Sequence, residues 1–159
     1  MNLVRLATAF LCAIALAGCN RDLTGPSSTQ PFSSVDLTPG TGTAAATGLN
    51  LTVDYTGWLF DPSKADNRGL VFDTSIGKTP LTFTLGVGQV IKGWDQGLVG
   101  MKVGGVRRLV VPPSLGYGEA RYNNIPPYAT LLFDITLEDV VNPNATTTST
   151  SESTKTSHR

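Results

Sequence analysis

LNLTVDYTGWLF, residues 49–60, alternates along most of its length. Leu49, Leu51, Val53 and Tyr55 fall on one face, and Asn50, Thr52 and Asp54 fall on the other. A period of two with one apolar side predicts a strand half-buried in a sheet. TLLFDITLEDV, residues 130–140, repeats the pattern: Leu131, Phe133, Ile135 and Leu137 point inward, with Asp134, Thr136 and Glu138 opposite. Shorter strands are expected at Leu70–Thr74, Leu81–Leu85 and Val106–Val111. One short helix is expected at about Trp94–Leu98, entered through Val90 and Ile91, with Trp94 and Leu98 on one face at i, i+4 spacing. Gly and Pro punctuate the rest, as in Gly86-Val87-Gly88, Pro112-Pro113 and Pro126-Pro127. Several strands against one helix make an α+β domain.

The inventory of side chains removes most chemistries. The only histidine of the 159 residues is His158, next to last. The two cysteines, Cys12 and Cys19, precede the β-rich region. A histidine-based triad, a thiol nucleophile and a disulfide are therefore excluded from the domain, and no metal site is expected. Twelve basic and twelve acidic residues cancel, and the basic ones form no stripe, so nucleic acid is not an expected partner. The carboxylates form no recognisable catalytic pair. Gly86-Val87-Gly88 lacks the third glycine of a dinucleotide loop, having Ile91 in its place. Any reaction run here must need no strong acid, base or nucleophile, and no cofactor is expected.

Both ends of the chain look different from the middle. Arg5, then an apolar run of 12 residues from Leu6 to Ala17, then small residues, have the form of a secretory signal at 1–18. The run is too short to cross a hydrocarbon layer of about 30 Å as a helix. Leu16-Ala17-Gly18-Cys19 resembles the bacterial lipobox, with Cys19 as the lipidated first residue of the mature chain. Asn20 does not read as an inner-membrane retention signal. Residues 19–34, polar and rich in Ser, Thr and Pro, are expected to be a flexible tether of ~20 Å. Residues 142–159 are Ser/Thr-rich and nearly free of apolar side chains, and are expected to be disordered. The expected location is outside the cytoplasm, lipid-anchored and facing the periplasm or the cell exterior, with the folded domain at 35–141.

Six segments of that domain resemble one family. VDYTGWL (53–59), VFDTS (71–75), PLTFTLG (80–86), VIKGWDQGL (90–98), VPPSLGYG (111–118) and IPPYATLLFDITL (125–137) stand in the order and approximate spacing of the FKBP-type peptidyl-prolyl isomerases. The resemblance implies a half-open antiparallel sheet wrapped around one short helix, with a pocket between them. It implies that Trp94 holds the substrate proline, that the Ile91 N–H and the Tyr117 hydroxyl bind substrate carbonyls, and that Asp73 bonds Tyr55. Phe72, Leu81, Val90, Ile125 and Phe133 would complete the pocket. Implied partners are unfolded or partly folded proteins with X-Pro bonds, and macrolide inhibitors. A monomer is expected.

Three departures stand out. Leu81 replaces an aromatic common in the family. Residues 61–69 (DPSKADNRG) form an insertion expected to be a solvated loop. The segment from Tyr117 to Ile125 is short and lacks the histidine often seen near the pocket, with Tyr122 as its nearest counterpart. Lys78 is a candidate partner for Asp73. A second reading stays open: a binding module or folding helper that grips prolyl segments with little turnover, which Leu81 favours.

Overall fold

A computed structural model describes residues 30–145. The expected signal, Cys19, most of the tether and the end of the tail lie outside the described residues. The elements in chain order are β1 (Ser33–Thr38), β2 (Asn50–Phe60), β3 (Arg68–Thr74), β4 (Leu81–Thr84), α1 (Lys92–Gly97), β5 (Val106–Val111) and β6 (Leu131–Val141). All strands pair antiparallel, in the order β1-β5-β6-β2-β3. β4 shares an edge of β2 with β3, β4 along Asn50–Val53 and β3 along Thr56–Phe60. This is the α+β architecture expected, an open sheet with one short helix.

The alternating strands behave as their patterns require. Leu51, Val53, Leu131, Phe133, Ile135 and Leu137 are buried, and they meet Trp94, Leu98 and Met101 on the same side of the sheet. Helix α1 starts two residues earlier than expected and ends one earlier. Six residues are too few for a helix stable on its own, so its position comes from packing. Gly93 and Gly97 press against β5. A Cβ at Gly93 would lie 2.6 Å from Val111 Cγ1, and one at Gly97 would lie 2.8 Å from Leu109 Cδ2. Polar contacts hold both ends. Asp95 accepts from the Gly86 and Gly88 N–H groups at 2.8 and 2.9 Å, fixing the loop that leads in from β4. The Gly97 carbonyl, an orphan acceptor at the helix end, accepts from Arg107 Nη1 at 2.8 Å and Ser34 Oγ at 3.1 Å.

Two expectations need correction. The tether does not extend to residue 34, because Ser33 and Ser34 already pair with Val110 and Leu109 in β1, and Phe32 packs against the core. The segment 61–69 is not wholly a solvated loop. It contains a 3-10 turn at Ala65–Asn67, and Arg68 and Gly69 open β3. Arg68 lies over the Trp58 ring, 4.9 Å from its centroid, and donates to Asp134 on the outer face of β6. Arg108, directly opposite in β5, donates to the same carboxylate twice, at 2.7 and 2.9 Å.

Burial alone would raise the pKa of Asp134, but the bonds from Arg108 and Arg68 outweigh it and hold the carboxyl below its usual range. A carboxyl with a depressed folded-state pKa contributes stability above its unfolded value and loses it as pH falls through the folded one. Asp134→Asn is expected to cost about 2 kcal/mol at pH 7, read from urea midpoints. The gap to wild type should narrow as pH falls below about 4.

Candidate active site

A cavity of about 310 Å³ is lined from β2, β3, β4, the run into α1, the helix itself, the segment after β5, and β6. Trp94 is 3% exposed and is wedged among aromatic rings. Tyr55 and Phe133 meet it edge-on, with centroids at 5.1 and 5.2 Å, and Phe83 tilts against it at 5.8 Å. Such arrangements suit the ring quadrupole and hold the indole in one orientation. Phe72 adds a further wall, edge-on to Phe133 at 5.5 Å. It reaches this place through a bulge: the β2–β3 register passes from Gly57–Asp73 to Trp58–Val71, leaving Phe72 as the extra residue. A Cβ on Gly57 would meet the Phe72 ring at 2.6 Å, so the ring can lie there only over a glycine.

The polar groups are few and placed by local bonds. The Tyr55 hydroxyl donates to Asp73 Oδ2 at 2.5 Å, and the Thr74 N–H donates to Asp73 Oδ1 at 2.8 Å. The turn behind them is pinned by buried Ser75. Its hydroxyl accepts from the Tyr55 N–H at 2.8 Å and donates to Asp54 at 2.7 Å. The Ile91 N–H and the Tyr117 hydroxyl bond to no protein group among the described residues. Burial, then the bond to Asp73, push the Tyr55 hydroxyl far up. Burial, then the neighbouring Tyr122 and Asp73, push Tyr117 up as well. Both phenols therefore stay protonated at neutral pH and remain donors.

Nine of the ten residues expected at the site line this cavity: Tyr55, Phe72, Asp73, Leu81, Val90, Ile91, Trp94, Tyr117 and Phe133. Ile125 does not. It is buried in the core and faces an adjoining cavity of about 350 Å³ that shares Phe72, Asp73, Tyr117 and Tyr122 with the first. Lys78 does not pair with Asp73; its ammonium donates to the Thr74 carbonyl at 2.8 Å. Two lining residues fell outside the expected set. Gln89 accepts from the Thr84 N–H at 2.7 Å and ties β4 to the run into α1. Tyr122, noted only as the counterpart of a missing histidine, lines both cavities. Among the described residues no cluster of His, Cys, Asp and Glu has the makings of a metal site.

Residues 42–138 match the sequence model of the FKBP-type peptidyl-prolyl cis-trans isomerases. An FK506-binding protein of Neisseria meningitidis is 50% identical over 104 residues, which cover 64% of this chain and 89% of the relative. FK506-binding protein 1B of Neurospora crassa is 43% identical over 100 residues, covering 62% and 88%. Among solved structures, FkpA from Escherichia coli is similar with a TM-score of 0.60 at 39% identity, covering 70% of this chain and 49% of that one. AtFKBP13 is similar with a TM-score of 0.58 at 39% identity, covering 68% and 91%. The chain belongs to the FKBP-type peptidyl-prolyl cis-trans isomerases and is an enzyme of that class.

Leu81 sits at the cavity wall with 36% of its surface exposed. A phenyl ring there would cover more of a bound proline, worth on the order of 1 kcal/mol. Leu81→Phe is expected to raise kcat/KM several-fold in a protease-coupled prolyl assay. Trp94→Ala should lower it by more than about tenfold, because water then enters the floor. No change in either variant would place the catalytic pocket elsewhere.

Proposed function

We propose that this enzyme accelerates X-Pro bond rotation in unfolded or partly folded proteins outside the cytoplasm, held to a membrane by lipid on Cys19. The catalytic half of the proposal is carried by one observation: the cavity is floored and walled by aromatic rings, and its polar groups are neutral donors and a bonded carboxylate. Amide resonance sets a barrier of ~18–20 kcal/mol to rotation. The planar ground state is more dipolar than the twisted transition state. A dry, apolar site therefore disfavours the first more than the second. An acceleration of a thousand- to a million-fold requires only ~4–8 kcal/mol. Trp94 takes the proline ring, while the Ile91 N–H and the Tyr117 hydroxyl hold carbonyls on either side of it. Asp73 bonds the Tyr55 hydroxyl at 2.5 Å and fixes the polarity of the pocket.

No proton changes hands in this scheme, and neither histidine nor cysteine lines the cavity. The rate should be nearly flat between about pH 6 and 8. A steep bell centred near neutrality would contradict desolvation as the source of catalysis. The relatives' names point to FK506, and a macrolide of that kind is expected to occupy the same cavity and inhibit. The same assay weighs the reading that Leu81 favours: binding of prolyl peptides without acceleration would make the protein a folding helper built on an isomerase scaffold.

The location rests on sequence alone. Leu16-Ala17-Gly18-Cys19 follows a hydrophobic run of signal length. No helix among the described residues is long and apolar enough to cross a membrane. Acyl chains contribute ~0.8 kcal/mol per buried methylene, and more than one chain makes the attachment stable. Cys19→Ala should leave an unlipidated precursor whose domain still folds. A variant that stays lipidated in the membrane fraction would refute the anchor.

A further inference from the structure

Tyr117 poses a physical problem. Its hydroxyl is assigned to a substrate carbonyl, so it has to stay free of protein acceptors. A phenol without a hydrogen bond has nothing at its tip to fix the ring. Tyr55 does not share this difficulty, since Asp73 holds its hydroxyl at 2.5 Å. The ring of Tyr117 is instead met face to face by Tyr122, with centroids 4.3 Å apart and planes within 7° of parallel. Tyr122 is 50% exposed, so core packing does not account for its placement.

The backbone holds Tyr122 where this stack requires it. Its N–H donates to the Ile125 carbonyl at 3.1 Å, and the Ile125 N–H donates back at 2.8 Å. Asn123, between them, takes φ 48°, a conformation that asparagine accepts more readily than most residues. Ile125 itself is 3% exposed and anchored in the core. A continuous path thus runs from the core through a two-residue turn to one ring and on to the next. The paired rings also border both cavities.

We propose that Tyr122 is a positioning residue for prolyl isomerisation: by stacking on Tyr117 from a turn anchored at Ile125, it sets the direction in which the Tyr117 hydroxyl meets the substrate carbonyl. The idea rests on the isomerase reading of the pocket.

The test is a double-mutant cycle in the protease-coupled assay, with urea midpoints checking that each variant is folded. Tyr122→Ala is expected to lower kcat/KM about five- to tenfold, and Tyr122→Phe to recover most of that loss, since the ring is kept. Tyr117→Phe should cost several-fold in the wild type but less than about twofold beside Tyr122→Ala, because the hydroxyl is already misdirected there. Should Tyr122→Ala not fold, Tyr122→Leu keeps the bulk without the plane and takes its place in the cycle. Equal cost of Tyr117→Phe in both backgrounds would overturn the proposal, as would a Tyr122→Phe variant as impaired as Tyr122→Ala. A wild type with no activity would overturn the isomerase reading itself, and the proposal with it. That outcome is distinct from an active wild type with additive mutants.

Discussion

A helix of six residues cannot hold itself together in water, yet here it must carry the tryptophan at the base of the active site. The contact that allows this is the close approach of α1 to β5 across Gly93 and Gly97. With no Cβ at either position, the helix can lie directly on Val111 and Leu109, and Trp94 is turned toward the opposite side, into the aromatic cluster of β2, β4 and β6. The run that leads into the helix takes its place from that seating. The Asp95 carboxylate, one residue beyond the tryptophan, gathers the glycine loop from β4 and so places Val90 and Ile91 at the rim.

The site separates two tasks that polar groups in an apolar pocket have to perform. Asp73 accepts from the Tyr55 hydroxyl and the Thr74 N–H, while Ser75 accepts from the Tyr55 N–H and donates to Asp54, so the wall near Tyr55 is tied on both sides. The Ile91 N–H and the Tyr117 hydroxyl bond to no protein group among the described residues. Both residues are half-buried and border the same cavity. Aromatic rings supply much of the remaining wall.

Strands with one buried face were legible because their alternation is physical: in β2 and β6 a shift by one residue would turn the core outward. β5 was equally plain. β1 was not, because nearly all of it is exposed and Ser, Asp and Thr occupy most of its positions. Its pairing with β5 is a backbone matter that leaves little trace in side-chain character. The insertion at 61–69 looked uniformly polar, and nothing local distinguished Arg68, whose partners Trp58 and Asp134 are remote or on other strands. The pocket was legible through joint motifs and not through periodicity, which cannot tell a ring that lines a cavity from one that fills a core. Ile125 shows the limit of that transfer, since it is buried in the core and faces the adjoining cavity instead of the main one. The stack of Tyr122 on Tyr117 depends on a left-handed residue between two backbone bonds, and a string of letters does not display it.

β1 is the first strand of the domain and lies at the opposite edge of the sheet from β3, so four strand spacings, ~19 Å, separate the edge where the chain enters from the strand that carries Phe72 and Asp73. The same strand is fastened to the end of α1 through Ser34, and through Asp36 to the Arg107 that also grips Gly97. A pull on the segment before β1 would therefore be met at the sheet edge by the β1–β5 ladder and at the helix end by the bonds from Ser34 and Arg107. In mechanical terms, the first strand is a cross-tie that couples the sheet edge to the helix carrying Trp94.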